Sequence, residues 1–105
     1  MKWDSSKFGE LCEALLSLNS NDEVRRFLRD LLTEDEIIEF TKRWQTARLL
    51  ENCTPYTDIT KITGLSSKTI ARVALWLQKG KGGYKLALER LHQHTSHGVA
   101  ASGLL

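Results

Sequence analysis

The chain has 105 residues and a mass of 11.9 kDa, of which 41% are hydrophobic and 27% charged, a length that favours one compact domain. No apolar stretch approaches the roughly 20 residues of a membrane-spanning helix, and the first residues do not form a signal peptide, so we expect a soluble, cytoplasmic protein. The net charge of +2 hides an asymmetry: residues 1–53 carry 8 Lys+Arg and 11 Asp+Glu, whereas residues 54–105 carry 7 and 2. The two halves therefore have net charges of −3 and +5, which favours a polyanionic partner for the second half.

Three amphipathic helices are predicted in the first half of the chain. Apolar residues at helical spacing place the first over residues 5–19, behind a serine N-cap, and the second over about Asp22–Leu32. Thr33–Glu36 match the capping box, in which the threonine hydroxyl and the glutamate carboxylate each accept a hydrogen bond from the other residue's backbone N–H. This box begins a long third helix, roughly Glu34–Glu51.

Residues 56–77 have the spacing of a helix-turn-helix. A short helix over Tyr56–Thr63 is followed by Gly64, which can adopt a positive φ, and by a second helix over Ser67–Leu77. The apolar residues that would form the core are Ile59, Ile62, Leu65, Ile70, Val73, Ala74 and Leu77.

In a helix-turn-helix the second helix enters the major groove of DNA with its first residues facing the base edges. The residues expected there are Ser66, Ser67, Lys68, Thr69 and Arg72. Lysine and hydroxyl side chains can bond to bases or phosphates. The pattern therefore predicts binding of double-stranded DNA. A helical hairpin that packs against a protein partner remains the alternative.

The remainder of the chain predicts a loop at Lys79–Gly83, a helix from Tyr84 to about His92, and a flexible tail over residues 93–105. The helical domain is thus expected to cover residues 1–92. The tail contains two further histidines, but no acid or cysteine lies near them, so we predict no metal site. No nucleophile pairs with a base in the sequence and no two carboxylates form an acid/base pair, so we do not expect an enzyme.

Several of these segments together resemble the core of the bacterial Trp repressor family. They occur in the family's order and at near-identical spacing: Leu32–Glu36, Arg43, Gly64 and Thr69–Arg72. The YerC/YecD-type branch is more similar still, through Arg43-Trp44, Leu65-Ser66 to Arg72-Val73, and Gly82-Gly83-Tyr84-Lys85-Leu86-Ala87-Leu88. The resemblance covers about residues 25–91.

The resemblance implies an all-α, intertwined homodimer of Trp repressor-like helical bundles. The two recognition helices of such a dimer would bind a near-palindromic operator, as expected of a transcriptional repressor. Independently, three amphipathic helices before the motif offer more apolar surface than one small core needs, which agrees with exchange of helices between two subunits.

The resemblance also implies an effector pocket. In the repressor, tryptophan lies between two arginines, and these match Arg43 and Arg72 here, while a neighbouring threonine matches Thr33. Two positions depart from the family pattern: Val73 replaces a glycine and Trp76 replaces a serine. Both add bulk where the indole would lie, which argues against free tryptophan as a ligand. The alternative roles are a phosphate contact for Arg72 and a carboxylate partner for Arg43.

Overall fold

The computed structural model describes the backbone of residues 2–102 and the side chains of residues 2–92. The described chain forms six α-helices and no strand, which confirms the predicted all-α class. The helices are α1 (Ser6–Leu16), α2 (Asn21–Leu31), α3 (Glu34–Glu51), α4 (Tyr56–Thr63), α5 (Ser67–Lys79) and α6 (Gly83–Ser102). Two compact units divide the chain, Met1–Ile38 and Glu39–Leu105, and α3 contributes residues to both.

Serine hydroxyls begin both helices of the first unit. The Ser5 hydroxyl accepts a hydrogen bond from the Phe8 N–H at 3.2 Å, and the Ser20 hydroxyl accepts one from the Glu23 N–H at 3.1 Å. The predicted N-cap of α1 is therefore confirmed. Its predicted end at residue 19 is wrong, because the helix ends at Leu16, after which the Ser17 N–H donates to the Glu13 and Ala14 carbonyls.

The capping box at the start of α3 is confirmed. The Thr33 hydroxyl accepts from the Glu36 N–H at 3.1 Å, and the Glu36 carboxylate accepts from the Thr33 N–H at 2.9 Å. Two backbone donors at the helix start are thus satisfied by side chains. Both predicted ends of α3 agree with the structure.

Helix α3 ends in a left-handed residue, a common geometry, but the residue is a cysteine and not a glycine. Cys53 adopts a left-handed backbone with φ +60°, a conformation in which glycine is preferred. Its N–H donates to the Leu50 carbonyl at 2.9 Å, and the Thr54 N–H donates to the Leu49 carbonyl at 3.0 Å. These two bonds form a Schellman motif, which turns the chain toward α4.

The core of the second unit lies between α4 and α5. Ile59, Leu65 and Ile70 are buried there, and Leu49 and Leu50 of α3 pack against them. The predicted inward orientation of Ile70 and Val73 is confirmed, since both are almost fully buried. The expectation that Ile62 belongs to the core is wrong, because its side chain is 53% exposed. Helix α5 also packs against α6, so three helices hold α5 in place.

The last two helices are longer than predicted. Helix α5 continues to Lys79. The next residue, Gly80, lies so close to the Trp76 carbonyl oxygen that a β-carbon on residue 80 would overlap that oxygen. Helix α6 continues to Ser102, and no proline interrupts residues 84–102. The side chains of the predicted tail, residues 93–105, lie outside the described residues, so the tail stays a prediction. In the described chain, no helix combines the length and apolarity that crossing a membrane requires.

Candidate nucleic-acid interface

The turn between α4 and α5 is fixed by backbone geometry and by one threonine. Gly64 ends α4 with φ +77°, and its N–H donates to the Thr60 carbonyl at 2.8 Å. The buried Thr63 hydroxyl donates to the Ile59 carbonyl at 2.8 Å and accepts from the Leu65 N–H at 3.1 Å. The direction in which α5 leaves the turn is therefore set by hydrogen bonds inside the unit.

The first turn of α5 is capped by Ser66. Its hydroxyl accepts from the Thr69 N–H at 3.2 Å and lies 3.1 Å from the Thr69 hydroxyl. Thr69 is half-buried, whereas Ser67 and Lys68 are exposed. The start of the helix is thus rigid, and it presents polar side chains to the solvent.

Four of the five residues predicted to contact DNA are exposed, and Thr69 is half-buried. The exposed residues at the start of α5 are here called the α5 surface: Ser66, Ser67, Lys68, Ala71 and Arg72. Lys68 and Arg72 are four residues apart and therefore lie on the same helix face. Neither has an ion-pair partner among residues 2–92. The exposed Ala71 beside them adds little bulk to this face of the helix.

Of the three residues matched to an effector pocket, two line the same cavity and the third does not. Arg43 and Arg72 line one cavity of about 140 Å³, together with Glu39, Thr69, Val73, Trp76 and Tyr84. Thr33 belongs to the first unit, where it forms the capping box of α3. The structure therefore brings the two arginines to one cavity, and Thr33 has a role of its own.

Arg43 already has a carboxylate partner. Its Nε lies 3.1 Å from Oε2 of Glu39, one helical turn away, and its guanidinium lies 5.8 Å from the centre of the Phe40 ring. The alternative role considered for Arg43 is thus the geometry observed. The i, i+4 spacing of Glu39 and Arg43 is the one sequence signal for this ion pair, and it was not used to predict the partner.

Aromatic side chains line a groove that no sequence pattern predicted. The rings of Trp44 and Tyr84 stack with centroids 6.4 Å apart and an interplanar angle of 17°. They line a groove of about 410 Å³ with Trp76, Ala87 and the glycine-containing loop before α6. Trp76, which is 53% exposed, borders both this groove and the arginine cavity.

The one histidine with a described side chain bonds to a carboxylate. Nε2 of His92 lies 2.8 Å from Oε1 of Glu51, which connects α6 to the end of α3. Within residues 2–92, no group of three or more His, Cys, Asp or Glu side chains could hold a metal ion. His94 and His97 lie outside the described side chains.

Comparison with known proteins gives concordant results. The family model described as Trp repressor protein matches residues 6–92. The protein YerC of Bacillus subtilis (strain 168), described as uncharacterised, is 35% identical over 92 residues, which cover 88% of each chain. The crystal structure of a TrpR-like protein from Eubacterium eligens ATCC 27750 superposes with a TM-score of 0.81 at 36% identity, over 85% of this chain and 92% of that one. A candidate Trp repressor from Staphylococcus aureus gives a TM-score of 0.79 at 33% identity, over 84% of this chain and 88% of that one.

Proposed function

Because the chain belongs to the Trp repressor protein family, we propose that it is a sequence-specific DNA-binding transcriptional regulator, acting as a repressor, whose α4–turn–α5 segment is a helix-turn-helix. The observation that carries this proposal is the α5 surface. Its two cations lack partners among the described side chains, and its helix is held by a buried core on the opposite face. A duplex would supply phosphate or base partners for both cations.

The chemistry of the α5 surface suits duplex DNA. A helix of this width enters the major groove, where hydroxyl and lysine side chains can bond to base edges. Ser67 and Lys68 in the first turn would make such contacts, while Ser66 and Thr69 would bond to phosphate oxygens. Arg72, one turn further on, would contact a phosphate or the O6 and N7 atoms of a guanine.

A homodimer completes this proposal. Neither α1 nor α2, whose side chains are all described, contains a buried residue. Large apolar side chains in the first unit remain exposed, such as Leu16 at 84% and Leu31 at 50%. A second copy of the chain would cover them, and its own α5 would bind the second half of a near-palindromic operator.

We propose further that the arginine cavity holds no free tryptophan. Its volume of about 140 Å³ is below the roughly 300 Å³ at which small-molecule sites begin. Val73 and Trp76 line it, and Arg43 is engaged by Glu39. Isothermal titration calorimetry with tryptophan should therefore show no binding heat. Saturable binding would contradict this proposal and would restore an effector pocket at Arg43 and Arg72.

Selection from a randomised duplex library tests the proposed function. The purified protein should enrich a near-palindromic sequence, here called the selected duplex. Lys68→Ala and Arg72→Ala should each weaken binding to it by about 1 to 3 kcal/mol. Lys85→Ala, on α6, is the matched control and should bind as the wild type does. No enrichment would refute the proposed function, and equal binding by all three variants would refute the α5 surface as the DNA-binding surface.

A further inference from the structure

The arginine cavity brings together three charged side chains from two helices. Glu39 and Arg43 come from α3, and Arg72 comes from α5. The cavity has a volume of only about 140 Å³, so the long side chains that line it lie within reach of one another. One carboxylate is therefore shared by the surroundings of two guanidinium groups, and a choice of ion pair exists between α3 and α5.

The carboxylate is paired within α3. The Nε atom of Arg43 lies 3.1 Å from Oε2 of Glu39, and the guanidinium of Arg43 also lies 5.8 Å from the centre of the Phe40 ring. A glutamate four residues before a cation is the favourable orientation for an ion pair along a helix. Arg72, by contrast, is exposed and forms no ion pair with any side chain of residues 2–92.

Burial makes this ion pair stronger than the others of its kind in the described chain. The side chains of Arg43 and Glu39 are 45% and 39% exposed, whereas those of Arg26 and Asp22 are 71% and 77% exposed. Attraction between charges increases as water is removed from around them. A Glu39 carboxylate that lost Arg43 would therefore attract the other cation of the cavity, which is Arg72.

We infer that Arg43 is a positioning residue for DNA binding: it holds the Glu39 carboxylate and so leaves the Arg72 guanidinium available to the duplex. This inference rests on the proposed function, in which Arg72 contacts DNA. Without Arg43, an ion pair between Arg72 and Glu39 would draw the guanidinium toward the cavity. That pair would have to break before Arg72 could bind a phosphate or a guanine.

The test measures the affinity of Arg43→Gln for the selected duplex by fluorescence anisotropy. A partly exposed ion pair changes an equilibrium constant by roughly 2- to 5-fold, so affinity should fall by this factor and by less than in Arg72→Ala. Arg43→Lys keeps a cation beside Glu39 and should bind as the wild type does. Arg48→Gln removes the same charge from α3 outside the cavity and is the matched control, with no expected change.

Two double variants distinguish this inference from a direct contact between Arg43 and DNA. Glu39→Gln added to Arg43→Gln should restore the wild-type affinity, because no carboxylate is left to attract Arg72. In an Arg72→Ala background, Arg43→Gln should cause no further loss. A loss that persists without Arg72, or that Glu39→Gln does not restore, would refute the inference.

The remaining outcomes separate this inference from the proposed function. If Arg72→Ala weakens binding and Arg43→Gln binds as the wild type does, the positioning role is refuted while the proposed function stands. If the wild type does not bind the selected duplex, both are refuted. Arg43→Met, which keeps the aliphatic stem, should lose as much affinity as Arg43→Gln. Wild-type affinity in Arg43→Met would show that packing, and not charge, is the contribution of Arg43, and would overturn the inference.

Discussion

Individual backbone conformations decide how α3, α4 and α5 are joined. Gly64 and Cys53 both have positive φ, yet only the first is a glycine. The glycine at position 64 predicted the turn between α4 and α5, whereas nothing in the residue type of Cys53 indicates a left-handed conformation. Substitution at each of these two positions should change the free energy of unfolding in a predictable direction.

Gly64→Ala should lower the free energy of unfolding by about 1 to 2 kcal/mol, because an L-residue at this φ brings its β-carbon against the backbone. A β-carbon on residue 64 would meet no steric clash with other side chains, since the nearest atom is the Nζ of Lys42 at 3.8 Å. Gly9→Ala is the matched control: Gly9 lies inside α1 with open space around it, so alanine should stabilise the protein by roughly 0.5 to 1 kcal/mol. Urea unfolding measures both, and a stable Gly64→Ala variant would contradict the role assigned to the turn.

Cys53→Gly should raise the free energy of unfolding by roughly 0.5 to 1 kcal/mol, because glycine adopts φ +60° without steric cost. Cys53→Ala removes the same thiol but keeps a β-carbon, so it should give no such gain. Equal stabilisation by both variants would show that the thiol, and not the backbone conformation, is responsible. Thermal melts under reducing conditions distinguish the two results.

At the level of helices, hydrogen-bonded caps define where each element begins. Ser66 is the cap that bears on function, because it fixes the first turn of α5. Ser66→Ala should cost about 1 kcal/mol of stability. Ser67→Ala, one residue along, removes an exposed hydroxyl that has no bonding partner among the described residues and should cost much less. The comparison is made by thermal unfolding, and equal losses would contradict the capping role.

Sequence patterns predicted helix starts better than helix ends. The capping box at Thr33 and Glu36 and the serine cap of α1 have clear residue signatures, and the structure confirms them. The end of α1 was missed because the apolar pattern continues to Leu18, beyond Leu16, where the helix ends. The end of α5 depends on the approach of a carbonyl to Gly80, which apolar spacing does not encode.

The candidate site was only partly predictable, because some of its contacts join residues that are far apart in the sequence. The exposed positions of α5 follow from helical periodicity once its buried face is known, so Lys68 and Arg72 could be assigned from sequence. The stacking of Trp44 on Tyr84 and the approach of Lys42 to the turn join residues far apart in the chain. Such contacts depend on tertiary packing, which residue spacing within one helix cannot give.

At the scale of the whole molecule, the charge asymmetry acquires a structural meaning. The cations of the second half include those of the α5 surface, while the first unit combines an acidic excess with exposed apolar side chains. The proposed DNA-binding surface in the second unit and the proposed surface for a second copy in the first would account for both properties. The modest net charge is therefore compatible with DNA binding.

The proposed homodimer can be tested at one residue of α1. Replacing exposed Leu16 with lysine should weaken self-association, because a charge would be buried in the interface. Lys7→Arg, in the same helix, changes no charge and should leave association unaffected. Sedimentation equilibrium measures both. A wild-type protein that remains monomeric at all concentrations would contradict the proposed homodimer, and a dimer unaffected by Leu16→Lys would exclude this residue from its interface.

The salt dependence of DNA affinity tests the central claim most directly. Fluorescence anisotropy with the selected duplex should show affinity falling steeply between roughly 50 and 200 mM salt, with a slope of about −0.9 for each phosphate contacted. Arg72→Ala should make the slope shallower if Arg72 contacts a phosphate. Absence of binding at roughly 50 mM salt, or an affinity that does not change with salt as expected of an apolar protein interface, would contradict a DNA-binding function.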